Sequence, residues 1–196
     1  MRISDDRYTR ERARLELALR FLRHEARTQT IRAWTGLSDD RIRKLYRSYL
    51  GQTRAQLPRH RGKSPRQVAY FSRSLRAQEE ATLLASVLSL FGVLPTPLLS
   101  GPPLPWPAPA AAPRERAPPG LLRGELLCQA FEAFRFLMPG AQTSFEHAEF
   151  LVRTLSCGDQ LRLGACGECG SVMVSERFLL RAQRCPHCAG TGQSRC

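Results

Sequence analysis

The chain lacks a long apolar run. Its most hydrophobic stretch, ATLLASVLSLFGVL at 81–94, is fourteen residues and stops at Pro95, short of the ~20 that a bilayer span requires. A buried helix is expected there, and no membrane association. The first twenty residues, MRISDDRYTRERARLELALR, contain no apolar signal core, so no secretory signal is expected and the compartment implied is the cytoplasm. Enzyme signatures are missing too. There is no phosphate-binding glycine loop and no His-Glu metal motif, and the four histidines, His24, His60, His147 and His187, are scattered. With no nucleophile beside a base, the expectation is a protein that is not an enzyme.

Lysine is nearly absent, although the chain is basic. The net charge is +13 over 196 residues, and its distribution says more than its size. Residues 1–80 hold 20 Lys/Arg against 9 Asp/Glu, and 18 of those cations are arginine. Residues 81–196 hold 10 against 8. The arginine fork pairs bidentately with phosphate and with guanine edges, which points to a polyanion partner; the alternative is a solvated basic surface with only non-specific attraction. A hydrophobic content of 42% suffices for a core, in one ordinary domain or two small ones.

Periodicity predicts a mainly α fold. Tyr8 to Arg27 reads as an amphipathic helix with Ala13, Leu17 and Leu22 inward,. QTIRAWTG forms a short helix ending at Gly36, and Ser38 stands at the N-cap position of DDRIRKLYRSYL,. In that run Ile42, Leu45, Tyr46 and Tyr49 make one apolar face while Arg41, Arg43, Lys44 and Arg47 occupy the others,. Short helix, glycine turn and capped basic helix form a helix-turn-helix-like segment over 28–50, whose second helix would enter the major groove of double-stranded DNA. A plain three-helix core reads the same way, and Asp39 and Asp40 suit a helix N-terminus. The loop that follows carries Arg54, Arg59, Arg61, Lys63 and Arg66 among Pro and Gly breakers, suited to backbone phosphates or to a solvated linker.

The chain therefore divides into a helical DNA-binding part at 1–94, a proline-rich linker or insertion at 95–120, and a helical hairpin with a metal module at 121–196. Prolines such as Pro102, Pro103, Pro105 and Pro107 favour extended backbone in the linker; a partner-docking role is the lesser reading. LLRGELLCQAFEAFRFLM is apolar around most of its circumference, which implies burial in the core or against another subunit, with Cys128 as packing,. Pro139 and Gly140 break it. Ser144 then caps a helix with Phe145, Ala148, Val152 and Leu155 inward, and His147 and Cys157 are read as structural.

Cysteine is sparse but ordered where it counts. Cys166, Cys169, Cys185 and Cys188 follow a C-x2-C-x15-C-x2-C pattern, and in a reducing compartment such pairs favour metal over a disulfide. Gly167 and Gly170 ease one knuckle and Pro186 stiffens the other. Two knuckles complete a tetrahedral four-thiolate shell, so one structural Zn2+ is expected, with no open position for catalysis; iron or an iron–sulfur cluster uses similar ligands, and His187 is an alternative ligand. Residues 160–190 are expected to lose their structure without the metal. Arg162, Arg177, Arg181 and Arg184 place positive charge around the module.

The run TGLSDDRIRKLYRSYL, then RGKSP, the LCQAF helix, SFEHAEFLVRTL, CGECG and CPHC, in that order, resembles the FlhC family, a subunit of the bacterial flagellar transcriptional master regulator. The resemblance covers most of the chain. It implies a mainly helical, DNA-binding activator subunit that assembles with FlhD, two FlhC with four FlhD, recruits RNA polymerase at flagellar promoters and works at the nucleoid. The family's zinc cysteines correspond to Cys166, Cys169, Cys185 and Cys188. The segment after RGKSP and the stretch 95–119 depart from the family pattern, which opens a second reading: a paralogue that binds or inhibits a partner protein without sequence-specific DNA recognition.

Overall fold

The computed structural model describes residues 2–50, 62, 64–94, 120–177 and 184–191. The described residues are mainly helical, with one two-stranded antiparallel sheet. They fall into two compact units, 1–65 with 116–129 and 66–115 with 130–196.

The first unit is built on α1 (Arg2–Arg23), α2 (Thr28–Thr35) and α3 (Asp39–Leu45), which continues as a π-helical turn over Tyr46–Leu50. The opening part of α5 (Leu121–Leu137) completes it. Leu17, Ala18, Phe21, Ile31, Trp34, Ile42 and Leu127 are buried together as its core, and the Phe21 and Trp34 rings lie 5.9 Å apart. The α2–α3 corner forms as the sequence predicts. Gly36 adopts φ 70° and its N–H donates to the Arg32 carbonyl, a left-handed helix end for which glycine is suited because it has no Cβ to clash. Thr35 Oγ1 donates to Ile31 O at 2.7 Å and accepts from Leu37 N at 3.3 Å, so the Thr35 hydroxyl, buried at the corner, is satisfied as both donor and acceptor. Ser38 occupies the N-cap with extended backbone, although its side chain makes no capping hydrogen bond.

Tyr49 departs from the expected apolar face. It is 63% exposed, while Ile42 is buried and Leu45 and Tyr46 are half-buried. The π turn adds a residue to the helical repeat, so the i+7 position swings off the face that a 3.6 period predicts.

Gly124 is where α5 approaches α1 and α2. A Cβ there would lie 2.7 Å from Leu17 Cδ2 and 3.3 Å from Trp34 Cε3. Leu17 is fully buried and Trp34 nearly so, which leaves them little room to move. Gly124→Val should therefore destabilise the chain by about 1–3 kcal/mol through overpacking, despite the better helix propensity of valine. A urea unfolding midpoint equal to or above that of the parent chain would contradict this.

The second unit takes in a 3-10 turn (Val68–Phe71), α4 (Leu75–Leu90), the end of α5, α6 (Phe145–Cys157), strands β1 (Leu161–Ala165) and β2 (Val172–Glu176), and α7 (Pro186–Thr191). The apolar stretch 81–94 is helical and largely buried through Ser89, with Ala81, Leu84, Ala85 and Leu88 fully enclosed, but Leu90 is exposed and the helix ends there, so 91–94 form a turn. Ser144 caps α6, its Oγ accepting from His147 N at 3.4 Å, and Phe145, Ala148, Val152 and Leu155 all point inward. His147 is structural: its ring stacks on Tyr70 at 3.8 Å and its Nδ1 bonds Ser144 Oγ at 2.7 Å. The burial expected for α5 holds on one side only. Leu127, Cys128, Phe131 and Phe134 are buried, but Leu122, Phe136 and Leu137 are exposed.

The β1–β2 hairpin is an element that periodicity did not announce. Leu161 pairs with Glu176 and Gly164 with Met173. Met173 and Val174 turn into the unit, and Val174 N donates to Thr82 Oγ1 of α4 at 3.2 Å.

Candidate metal centre and basic helix

The hairpin exists to make a turn, and the turn carries the first pair of cysteines. Cys166 follows β1 and Cys169 lies three residues on, before β2 begins at Val172. Cys166 N donates to Ser171 O at 2.8 Å and Gly170 N to Cys166 O at 3.0 Å, closing the first knuckle. The second knuckle is the entry to α7, where Pro186 takes the first helical position, which needs no N–H,. Ala189 N donates to Cys185 O at 2.9 Å. Across the gap, Arg184 Nε meets Glu168 Oε1 at 2.8 Å, an ion pair that joins one knuckle to the other.

The four sulfurs of Cys166, Cys169, Cys185 and Cys188 converge. All lie within 4.8 Å of one another, with Cys169 Sγ and Cys185 Sγ 3.6 Å apart. A tetrahedral site with ~2.3 Å metal–sulfur bonds requires sulfurs about 3.8 Å apart. The donor set and its spacing fit a metal ion.

Backbone amides are aimed at these sulfurs. Hydrogen bonds from the backbone of Cys169, Cys185 and Glu168 hold the Cys166 thiol down to about 6. The Cys185 thiol is lowered by the Cys188 amide and the Ser171 hydroxyl. Cys188 moves the other way, pushed up by hydrogen bonds with the Cys169 and Cys185 sulfurs. Four sulfurs this close cannot all carry charge unless a cation sits among them, so the geometry invites what the residue types suggest. Cys166, Cys185 and Cys188 are buried while Cys169 is exposed. His187 is exposed beside the cluster and is not one of the converging residues.

The basic helix reads differently from its sequence. Arg41 is ion-paired with Glu11 of α1, and Glu11 also lies 3.8 Å from Arg14. Arg43 pairs with Asp40 at 3.1 Å. Asp39, expected to serve the helix N-terminus, also lies 3.7 Å from Arg32 of α2. Lys44 and Arg47 are exposed and make no ion pair among the described residues. Arg66 is exposed at the start of the second unit. Arg54, Arg59, Arg61, Lys63 and Arg181 lie outside the described residues, as does 95–119 of the proline-rich segment.

Sequence reasoning missed Glu11, Glu168 and Ser171. Ion-pair partners distant in sequence leave no local pattern, whereas the short spacing of Ser171 from Cys169 was available to be read.

No family model and no curated protein matches the chain. The metal cluster and the basic helix therefore stand on their own geometry. Among the described residues no helix is long and apolar enough to cross a membrane.

Proposed function

We propose that this chain is a non-enzymatic, DNA-binding subunit of a transcription activator of the FlhC kind, with one structural zinc ion held by Cys166, Cys169, Cys185 and Cys188. The observation that carries the DNA reading is the α2–Gly36–α3 corner, which buries Ile42 and turns Lys44 and Arg47 to solvent on the second helix. That arrangement suits a helix lying in a major groove with cations toward base edges and phosphates. Arg54, Arg59, Arg61, Lys63 and Arg66 add backbone contacts in this reading. The exposed Leu122, Phe136 and Leu137 suit partner contacts within an assembly with FlhD-type subunits, with RNA polymerase as the recruited enzyme and the cytoplasmic nucleoid as the setting,.

A second reading has its own observation. Two of the four cations on α3, Arg41 and Arg43, already have acidic partners within the chain, which fits a paralogue whose basic face serves a protein partner and reads no DNA sequence.

The separating experiment is fluorescence anisotropy on a flagellar promoter and a scrambled duplex, with the chain alone and co-purified with an FlhD-type subunit, at two salt concentrations. Preference for the promoter in the complex, with a steep salt slope, supports the activator. Equal weak binding to both duplexes supports the paralogue. Within the activator reading, Lys44→Ala and Arg47→Ala should weaken binding more than Arg41→Ala and Arg43→Ala, which remove cations already engaged. A base contact among them relaxes preference at one position by about 1–3 kcal/mol, and a phosphate contact reduces the salt slope by about one. If neither Lys44→Ala nor Arg47→Ala changes the affinity, α3 is not at the interface.

A further inference from the structure

One of the four cysteines of the cluster is exposed. Cys169 is exposed, and Cys166, Cys185 and Cys188 are buried. Cys169 Sγ lies 3.6 Å from Cys185 Sγ on the opposite knuckle and 3.0 Å from Ser171 Oγ. A metal-bound cysteine is a thiolate, the form that attacks oxidants, and accessibility decides which member of a set reacts first. We propose that Cys169 is an oxidant-sensing ligand: hydrogen peroxide joins it to Cys185 in a disulfide across the two knuckles, and the ion is released. This rests on reading the cluster as a zinc site.

The chemistry balances with peroxide as the only co-reactant. The Cys169 thiolate attacks one peroxide oxygen; the O–O bond breaks, an S–O bond forms, and hydroxide leaves and takes a proton to become water. The Cys185 thiolate then attacks the Cys169 sulfur of this sulfenic acid. An S–S bond forms, the S–O bond breaks, and a second hydroxide takes a proton and leaves as water. The two sulfurs together give up two electrons, and one peroxide accepts them. The sulfurs must approach each other by about 1.5 Å to reach bonding distance. Ser171 Oγ, beside the attacking sulfur, is placed to donate a hydrogen bond to the departing hydroxide. Cys166 and Cys188 alone cannot close a tetrahedral shell, so release of the ion follows from the loss of two ligands.

The specificity comes from position. Oxidation within one knuckle would join Cys166 to Cys169 or Cys185 to Cys188 and leave the two knuckles independent. Oxidation across them replaces the metal cross-link by a covalent one between the same two segments, so the knuckles stay tethered and ready to take the ion back once reduced. Cys169, exposed, and Cys185, whose sulfur lies 3.6 Å away on the opposite knuckle, are placed to form this cross-link.

The test uses the full chain purified with its metal. Metal analysis and cobalt(II) substitution first establish whether a tetrahedral thiolate site is loaded. Hydrogen peroxide is then added, zinc release is followed with a chromogenic chelator, and disulfides are mapped by peptide mass spectrometry. The expected result is loss of one zinc per Cys169–Cys185 disulfide, reversed by dithiothreitol and added zinc. Cys169→Ser, if it retains zinc, should lose no more of it with peroxide than without; if it does not retain zinc, the disulfide map of the parent chain decides. Zinc retained at peroxide doses that oxidise the exposed Cys157 overturns the inference, and so does release accompanied by a disulfide within one knuckle. A chain with no thiolate-bound ion before peroxide is added overturns the zinc reading itself, and metal analysis registers that outcome separately.

Discussion

With a metal held by the four cysteines as proposed, stripping it with a strong chelator is expected to unfold the two knuckles and α7 while leaving the helical layers and most of the hairpin in place. The buried cluster within the module is small, comprising Cys166, Met173, Cys185 and Cys188, and α7 is six residues long, too short to persist unaided. A structural four-thiolate site contributes about 10–16 kcal/mol to the folding of such a segment, far more than this apolar contact provides. The hairpin is better secured than the sequence suggests. Val174 N bonds Thr82 Oγ1 at 3.2 Å, Ser72 Oγ bonds Glu176 at 2.7 Å, and Arg177 reaches the Gly158 carbonyl at 2.5 Å. Loss confined to residues 166–171 and 184–191 is therefore expected in place of loss across 160–190. Hydrogen exchange checks this: amides of those segments should lose protection on chelation while α4 and α6 keep theirs. Unchanged protection in the knuckles would sink the idea, and so would global unfolding. Replacing the buried Cys166 or Cys185 by serine should act as chelation does. Acid should act the same way, because ligation requires thiolates. With its free thiol held down to about 6, Cys166 stays ready for metal above that pH and competes with protons as the pH falls through it.

Much of this architecture was legible because its signals are local. Gly36 and Ser38 mark a helix end and a helix start two residues apart, and Ser144 with Phe145, Ala148, Val152 and Leu155 specifies a capped amphipathic helix without reference to anything distant. The four cysteines were legible for the same reason, since each knuckle is a short loop that brings two sulfurs together. The hairpin was hidden. VMV is too short an apolar run to choose between strand and helix, and its burial depends on α4, far back in the chain. Tyr49 was misplaced because a π turn changes the helical repeat without leaving a pattern in the residue types. The α5 sequence is apolar on nearly every side, yet Leu122, Phe136 and Leu137 are exposed; composition cannot say which side of such a helix finds a neighbour. Arg41 looked available because Glu11 belongs to another helix.

Glu80→Ala should be the most damaging substitution away from the metal. Glu80 is buried on α4, and its carboxylate accepts from Gln142 N at 3.1 and 3.0 Å, Thr143 N at 3.0 Å, Thr143 Oγ1 at 2.7 Å and Arg76 Nε at 3.2 Å. It thereby fixes the α5–α6 connection against α4, together with Arg76, whose Nη2 donates to Gly140 O at 2.5 Å. Alanine leaves two amides and a hydroxyl without their acceptor, and a cost of about 3–5 kcal/mol follows from breaking a buried charged network. Glu80→Gln keeps one carbonyl acceptor and should cost less, while Thr143→Val removes a single donor and should cost about 1 kcal/mol. The pH dependence has a definite sign. Burial pushes the Glu80 carboxyl up, but the donors from Thr143, Gln142 and Arg76 outweigh it and hold the group below the ordinary glutamate range. A depressed carboxyl contributes its stability in full above that range and loses it as the pH falls through the folded value. Urea midpoints measured from neutral to acid pH should therefore decline more steeply for the parent chain than for Glu80→Gln. Parallel declines in the two proteins would show that this carboxylate does not carry the acid sensitivity of the fold.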